Sequence, residues 1–243
     1  MASNIHKSIT LNSPNVVAPL ASREDVAALS EIPDLSAHCD VLELRLDGLD
    51  SPGEALARTA SLSPTLPIIA TARHPDEGGF GGLDAAARHA LLAQALPFAA
   101  ALDIEIRSLP SLAGLATEAR DSQCLVIGSF HDFAATPGTA DLRDTVRRGL
   151  DLGAHAIKIA TRLHGPGELY RLIDLLEFFA DRPLAVMGMG TLGMASRLLS
   201  AQCGSFLNYG YLVRPNAPGQ WPARQLREIL AALPRDPAPG PSA

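Results

Sequence analysis

The chain has 243 residues, of which 47% are hydrophobic, and its formal net charge is −6. This apolar content is sufficient for a large core, and α/β barrels of this length commonly form one domain. The acidic balance and the lack of any basic stripe argue against a nucleic-acid partner, and no apolar run reaches the length of about 18 residues that a membrane span requires.

Short β-like runs alternate with longer helix-like segments along nearly the whole chain. Such alternation predicts parallel strands joined by right-handed crossovers. Eight units in this length predict an α/β fold, a closed (β/α)8 TIM barrel that occupies residues 1–233 as a single domain. The predicted strands are Val16–Pro19, Asp40–Arg45, Pro67–Thr71, Leu102–Ile106, Cys124–Ser129, Ala156–Ile159, Leu184–Gly188 and Ser205–Tyr209, and the predicted helices include Asp84–Leu96, Leu142–Leu152, Gly167–Phe179, Met194–Ser200 and Pro222–Ala232.

The two ends of the chain and the cysteines carry weaker signals. Residues 1–12 are ambiguous, and a short hairpin across the barrel floor is one interpretation; residues 234–243 are rich in proline and glycine, which predicts a disordered tail. The start lacks the apolar segment of a secretion signal, which predicts a cytoplasmic protein. Cys39, Cys124 and Cys203 are widely spaced without a CxxC motif, which favours buried reduced thiols.

Gly188–Gly193 has the GxGxxG spacing of a dinucleotide-binding loop and lies between a predicted strand and a predicted helix. Such a loop also needs an acidic residue about 20 positions further on, to bind the ribose. No Asp or Glu occurs between Asp181 and Glu228, and the motif falls in the seventh unit rather than the first. We therefore reject a dinucleotide site.

Polar side chains collect at the C-terminal ends of the predicted strands, where barrels build their sites. In strand two, alternation places Glu43 and Arg45 on the lumen side and the leucines between them on the helix side. The remaining candidates are Arg73, Glu77, Ser129, His131, Lys158, Met187, Met189 and Arg197. Each alone has a structural explanation, such as an isolated ion pair, a solvated loop or barrel filling, but together they predict one site.

Lys158 is the most unusual candidate, because only Lys7 and Lys158 among the 20 cationic side chains are lysines. An ammonium on a buried strand loses its hydration, although a lysine near a strand end also reaches water by snorkelling. A desolvated amine forms a Schiff base with a carbonyl, a histidine beside it transfers protons, and a glutamate orients the imidazole. Arginines bind a carboxylate, and we expect their charges to keep the amine unprotonated. No cluster has metal-ligand spacing, which predicts a metal-independent enzyme.

Six short segments, taken in order, match the motifs of one family. They are Glu-Leu-Arg-Leu-Asp (43–47), Thr-Ala-Arg followed by Glu-Gly-Gly (71–79), Ser-Phe-His-Asp-Phe with Thr-Pro (129–137), Ile-Lys-Ile-Ala (157–160), Met-Gly-Met to Ser-Arg (187–197) and Ala-Pro-Gly-Gln (217–220). On these segments the chain resembles type I 3-dehydroquinate dehydratase, the Schiff-base hydro-lyase of the shikimate pathway, from about Asn15 to Arg227.

The resemblance implies a mechanism. Lys158 would attack the C3 ketone of 3-dehydroquinate, and His131, oriented by Glu43, would assist imine formation, remove a C2 proton and protonate the departing C1 hydroxyl. Syn elimination and hydrolysis would release 3-dehydroshikimate without an external cofactor. The implied binding residues are Arg197 for the substrate carboxylate, Arg45, Arg73 and Glu77 for the hydroxyls or the mouth, Met187 and Met189 for the cavity wall, and Gln220 on a closing lid. A homodimer, common in the family, is also implied.

Three positions around the expected substrate site differ from the usual family pattern. They are Asn216 in place of a lid serine, Tyr209 in place of a common phenylalanine, and Ala18 in place of a serine that often contacts substrate. We include Asn216 and Tyr209 among the expected substrate-binding residues. The predicted chemistry is therefore better supported than the selectivity.

Two alternative functions stay open. One is another lysine Schiff-base barrel, an aldolase-like enzyme that acts on sugar phosphates; the glycines at 188–193 are its candidate phosphate site, but Met187 and Met189 make that wall apolar. The other is a catalytically weak, dehydroquinase-like ligand-binding protein, against which the complete set of Glu43, His131 and Lys158 argues.

Overall fold

The computed structural model describes residues 8–234. Within them, strands alternate with helices in the order that the sequence predicts. The strands are β1 (Asn15–Leu20), β2 (Val41–Arg45), β3 (Ile68–Thr71), β4 (Ala101–Glu105), β5 (Leu125–Asp132), β6 (Ala156–Arg162), β7 (Leu184–Met189), β8 (Leu207–Tyr211) and the two-residue β9 (Trp221–Pro222). The helices are α1 (Arg23–Ala28), α2 (Pro52–Leu62), α3 (Ala85–Ala95), α4 (Ala113–Asp121), α5 (Thr139–Asp151), α6 (Pro166–Phe178), α7 (Gly193–Gln202) and α8 (Ala223–Ala232).

The strands form one curled sheet in the order β7-β6-β5-β4-β3-β2-β1-β8-β9, and every neighbouring pair is parallel. The remaining gap lies between β7 and β8. Across it, the Phe206 N–H donates to the Leu184 carbonyl at 3.2 Å, and the Val186 N–H donates to Ser205 Oγ at 3.1 Å. These bonds close the barrel, so the prediction of a (β/α)8 fold is confirmed.

Alternation along the strands divides the apolar side chains into two regions. Leu42 and Leu44 of β2 pack outward against the helices, whereas Val41 packs in the lumen with Ile69 and Ile127. Because successive strand residues face opposite sides, Glu43 must face the lumen, as predicted.

The lumen changes from apolar to polar over a single step of two residues. Its apolar layer includes Val41, Ile69, Ala101, Ile127 and Ala156, one from each of the neighbouring strands β2 to β6. Two positions further along the same five strands, the buried side chains are Glu43, Thr71, Asp103, Ser129 and Lys158. This polar layer lies on top of the apolar floor and opens toward the C-terminal ends of the strands.

Two strands continue three residues further than predicted. β5 ends at Asp132 rather than at Ser129, and β6 ends at Arg162 rather than at Ile159, because the two strands stay paired up to Asp132 and Thr161. His131 consequently lies on a paired strand rather than in a loop, which fixes its backbone relative to Lys158.

Some predictions concern the ends and the thiols. Residues 1–7 of the possible N-terminal hairpin lie outside the described residues, and residues 8–12 have irregular backbone; the predicted disordered tail is also outside, apart from Pro234. Cys39 and Cys124 are buried, as predicted, but Cys203 is exposed because it follows the solvent-facing last turn of α7. None of the helices in residues 8–234 has the length and apolar character needed to cross a bilayer.

Candidate active site

A cavity of about 250 Å³ lies above the polar layer, at the C-terminal ends of the strands. All the residues predicted for the site except Ser129 line this cavity: Lys158, His131, Glu43, Arg45, Arg73, Arg197, Gln220, Asn216, Glu77, Met187, Met189 and Tyr209. Ala18 does not belong to this lining, which takes Pro19 from β1 instead. The fold thus brings together side chains that are far apart in the chain.

Lys158 lies in the middle of β6 and is 3% exposed. Its Nζ forms an ion pair with Asp103 Oδ2, lies 3.7 Å from Glu43 Oε1 and donates to the Tyr209 hydroxyl at 3.2 Å. We expected arginines to surround this amine. The structure instead places two carboxylates beside it, those of Asp103 and Glu43. The nearby Arg73 forms an ion pair with Asp103.

Asp103 and Glu105, on the lumen side of β4, link the buried polar side chains beneath the cavity to one another. Asp103 Oδ1 accepts from Ser129 Oγ at 2.5 Å and lies 2.9 Å from Arg73 Nη1. Glu105 accepts from the same Nη1 at 3.0 Å and from Arg88 at 2.7 Å. Burial opposes ionisation of Asp103, but the charges of Arg73 and Lys158 outweigh it and hold the pKa of this carboxyl well below its usual range.

Sequence reasoning missed both of these carboxylates. The alternation in β4 could have revealed them. In Ala101-Leu-Asp-Ile-Glu105, Asp103 and Glu105 fall on one face and Leu102 and Ile104 on the other. Two acidic residues facing the inside of a barrel at consecutive lumen positions need buried cations as partners.

The orientation of His131 differs from the prediction. Its Nδ1 lies 3.1 Å from Glu77 Oε2, and its backbone N–H donates to the same oxygen at 2.9 Å. Glu43, the predicted partner, instead accepts from Thr71 Oγ1 at 2.7 Å and from the Tyr209 hydroxyl at 3.4 Å. Glu77, expected only to contact substrate or order the mouth, is therefore the carboxylate that positions the imidazole.

Local backbone geometry explains how Glu77 reaches His131. Glu77 ends a 3-10 turn, Pro75–Glu77, that follows β3 directly. Gly78 comes next with a left-handed backbone, φ 85°, a conformation that glycine adopts at little cost. The turn returns the chain over the end of β5, so that the carboxylate reaches the ring from outside the polar layer.

Burial changes the protonation of this pair. It raises the pKa of Glu77 to about 7, with Arg73 opposing the shift and Glu105 adding to it. Burial, followed by the charges of Arg73 and Lys158, holds the pKa of His131 well below its ordinary value. His131 is therefore neutral near pH 7, and an ionised Glu77 accepts its Nδ1–H, which leaves Nε2 with a free lone pair.

Arg197, in the middle of α7, is almost fully buried and, among residues 8–234, donates only to backbone carbonyls. Nε donates to the Tyr209 carbonyl at 3.0 Å, and Nη1 donates to the carbonyls of Gly188, Gly193 and Gly219 at 3.0, 2.8 and 2.6 Å. Burial lowers its pKa to about 10, so it stays charged at neutral pH. Within residues 8–234 no carboxylate neutralises it, and its charge is available to an anionic ligand.

The glycines that resemble a dinucleotide loop support the segment 212–220, which we call the lid. A Cβ atom on Gly193 would lie 2.9 Å from Gly219 Cα, so only hydrogen at this position allows the two backbones to meet. The Gly190 N–H also donates to the Pro218 carbonyl at 3.4 Å. The motif thus seats the lid, which gives a physical reason for rejecting a nucleotide site.

The lid is also bonded internally. Gln220 Oε1 accepts from the backbone N–H groups of Asn216 and Ala217 at 2.7 and 3.2 Å. In this arrangement the Gln220 amide shapes the loop itself, and the Asn216 and Gln220 side chains line the cavity from above.

Arg45 and the two methionines form the remaining walls. Arg45 binds Asp47 with Nε and Nη2 at 3.0 and 2.8 Å, and its guanidinium lies 5.0 Å from the centre of the Phe80 ring. It therefore orders the mouth of the cavity. Met187 and Met189 of β7 are buried and supply an apolar wall opposite.

Comparison with known proteins adds independent information. Residues 16–237 match the family Type I 3-dehydroquinase. The 3-dehydroquinate dehydratase of Methanocella arvoryzae is 34% identical over 90% of this chain and 97% of its own length. That of Bacillus subtilis is 29% identical over 93% of this chain and 94% of its own.

Solved structures agree. Type I 3-dehydroquinate dehydratase from Clostridium difficile, with covalently modified comenic acid, superposes with a TM-score of 0.82 at 25% identity, covering 90% of this chain and 92% of that one. The 3-dehydroquinate dehydratase of Aquifex aeolicus gives a TM-score of 0.77 at 26% identity, covering 90% and 99%.

The contact between Glu77 and His131 predicts an NMR titration. With ¹⁵N-labelled histidine, the His131 ring should stay neutral well below pH 6.5, yet its tautomer preference for Nδ1–H should weaken as the pH falls through about 7 and Glu77 gains its proton. Glu77→Gln should abolish the change near pH 7, and loss of the signal in His131→Ala assigns it. Simple protonation of the ring near pH 6.5 would contradict the assignment.

The seat of the lid predicts a second effect. Gly193→Ala should displace Gly219 and increase amide hydrogen exchange across 212–220, measured by mass spectrometry. Gly165→Ala is the matched control, because a Cβ atom there meets nothing within 4 Å. Equal protection of the lid in both variants would show that the glycine contact does not hold it.

Proposed function

Because this chain belongs to the type I 3-dehydroquinase family, we propose that it dehydrates 3-dehydroquinate to 3-dehydroshikimate through a Schiff base on Lys158. It is a hydro-lyase, and its reaction belongs to the shikimate pathway. The observation that carries the mechanism is a buried lysine at the floor of a cavity that also contains a neutral histidine with a free ring nitrogen.

The first step joins Lys158 to the C3 ketone. The ammonium transfers a proton to His131 Nε2, and the amine lone pair attacks the carbonyl carbon. One amine proton passes to the carbonyl oxygen to give the carbinolamine. Its hydroxyl then takes the proton from His131 and leaves as water, and the nitrogen lone pair forms the C=N bond of the iminium on Nζ. This exchange is supported by two observations: Lys158 and His131 both line the cavity, and they lie on neighbouring, paired strands.

The second step uses the iminium as an electron sink. His131 Nε2 removes a proton from C2, the C–H electrons form a C2=C3 double bond while the C=N π electrons move onto nitrogen, and an enamine forms. The enamine then expels the C1 hydroxyl, which leaves as water with the proton that His131 carries. One imidazole on one face serves both transfers, so the elimination is syn, and Glu77 keeps Nδ1 protonated throughout.

Arg197 and the lid supply binding energy and exclude water. The Arg197 guanidinium would bind the substrate carboxylate through Nη2, because its hydrogen bonds to backbone carbonyls use Nε and Nη1. Because its Nη1 also holds the Gly219 carbonyl of the lid, carboxylate binding and lid position depend on the same group. Met187 and Met189 keep the opposite wall apolar, which strengthens electrostatic interactions inside.

The remaining roles are assigned in the same way. Tyr209 holds Lys158 by a hydrogen bond, Arg73 fixes the carboxylates of the floor, and Arg45 with Asn216 and Gln220 shapes the mouth. The covalently modified ligand in the Clostridium difficile relative is in keeping with covalent chemistry at such a site. A cytoplasmic location and a homodimer stay predictions from the family resemblance, for which sedimentation is the direct test of assembly.

Borohydride reduction during turnover tests the proposal. With 3-dehydroquinate, reduction of the imine should leave a permanent adduct on the peptide that contains Lys158, identified by mass mapping. Lys158→Ala should give no adduct and no turnover. His131→Ala should lower kcat by roughly 10²–10⁴-fold while the imine can still be trapped.

The controls are a reaction without borohydride and a reaction without substrate, neither of which should mark Lys158. Dehydration by Lys158→Ala at the normal rate would refute the Schiff-base mechanism. Cleavage of sugar phosphates by the unmodified protein would instead favour an aldolase-like activity.

A further inference from the structure

A carboxylate that the steps above do not use lies beneath the cavity, behind Lys158. Asp103 is fully buried in β4, and its Oδ2 forms an ion pair with Lys158 Nζ, the atom that bonds to substrate. We propose that Asp103 is a further catalytic residue, the counter-ion of the Lys158 nitrogen from the resting ammonium to the iminium. This inference rests on the proposed Schiff-base function.

The neighbours of Asp103 orient its two oxygens differently. Oδ1 accepts from Ser129 Oγ at 2.5 Å and pairs with Arg73 Nη1 at 2.9 Å. Because these two groups hold Oδ1, Oδ2 is turned toward Lys158. The carboxylate is therefore set before any substrate arrives, which is the condition for electrostatic stabilisation without reorganisation.

Charge conservation at nitrogen makes this position useful. A primary ammonium and a ketone give an iminium and water, so nitrogen carries one positive charge before and after; two of its three protons leave with the carbonyl oxygen. A carboxylate placed for the ammonium of Lys158 is consequently also placed for the iminium. The nitrogen is uncharged in the attacking amine and the carbinolamine, and again in the enamine; the charge returns each time a hydroxyl leaves as water.

The other charged groups near the amine are less suited to this role. Glu43 lies 3.7 Å from Lys158 Nζ, and Thr71 Oγ1 occupies its Oε1. Arg73 is shared between Asp103 and Glu105. The groups that interact with Asp103 are Lys158 of β6, Arg73 after β3, Glu77 of the turn after β3, Tyr209 of β8, and Ser129 and His131 of β5.

The chain offers a matched pair of substitutions. Asp103 and Glu105 both bind Arg73, but of the two only Asp103 forms an ion pair with Lys158. Asp103→Asn therefore removes the counter-ion and weakens the binding of Arg73, whereas Glu105→Gln weakens the binding of Arg73 and Arg88 but leaves the carboxylate beside Lys158 in place. Ser129→Ala is a milder third variant, which loosens Oδ1 without removing the charge.

The experiment measures the rate of borohydride trapping on Lys158 with 3-dehydroquinate, together with kcat against pH. Asp103→Asn should trap roughly 10²–10³-fold more slowly. The alkaline decline of kcat should also begin at a lower pH in this variant, because an iminium without its counter-ion holds its proton less tightly. Glu105→Gln should keep trapping and the alkaline limb close to those of the unmodified protein, and Ser129→Ala should fall between.

Several results would overturn the inference. Trapping by Asp103→Asn at the unmodified rate, or equal losses in Asp103→Asn and Glu105→Gln, would remove the special role of Asp103. If circular dichroism shows that Asp103→Asn does not fold, the comparison of Ser129→Ala with Glu105→Gln decides: slower trapping in Ser129→Ala alone supports the role, and equal trapping refutes it. If the unsubstituted protein forms no borohydride adduct on Lys158 with 3-dehydroquinate, the proposed function fails, and this inference fails with it.

Discussion

The ion pair between Lys158 and Asp103 is the interaction on which the rest of the site depends. An ammonium group buried in a barrel lumen loses most of its hydration, and an unpaired buried charge is strongly destabilising. Here strand β4, which is separated from β6 by β5, supplies the opposite charge at the same height in the lumen, and Arg73 and Ser129 hold that carboxylate from its other side. The lysine can therefore stay buried and still be chemically competent.

The barrel makes such a site by a simple repetition. In five neighbouring strands an apolar lumen residue is followed two positions later by a polar one, which places Glu43, Thr71, Asp103, Ser129 and Lys158 in one layer. Above that layer, short turns and one helix bring in Glu77 and Arg197. The glycines between β7 and α7 let the lid approach Arg197 closely, so the strand layer, the arginine and the lid act as connected parts.

The sequence predicted the fold because strand–helix alternation is a regular signal, and it placed Glu43, Arg45 and the leucines of β2 on their proper faces because the strand period is two. It failed where distance across the lumen matters. Periodicity shows that Glu43 faces inward but not how far it lies from His131, and a loop turn brings Glu77 there instead. Strand alternation predicts that Asp103 faces the lumen, but its importance was missed because its partner, Lys158, lies 55 positions further along the chain on another strand.

The central claim is that the Lys158 nitrogen carries a positive charge beside Asp103 before and after it bonds to substrate. Only two lysines occur in the chain, so ¹⁵Nζ-lysine labelling gives two side-chain signals, and Lys7→Arg assigns them. In His131→Ala with 3-dehydroquinate, the Lys158 signal should move from an ammonium to an iminium that retains one bound hydrogen. A signal that stays that of an ammonium, or becomes that of an unprotonated imine, would contradict the account.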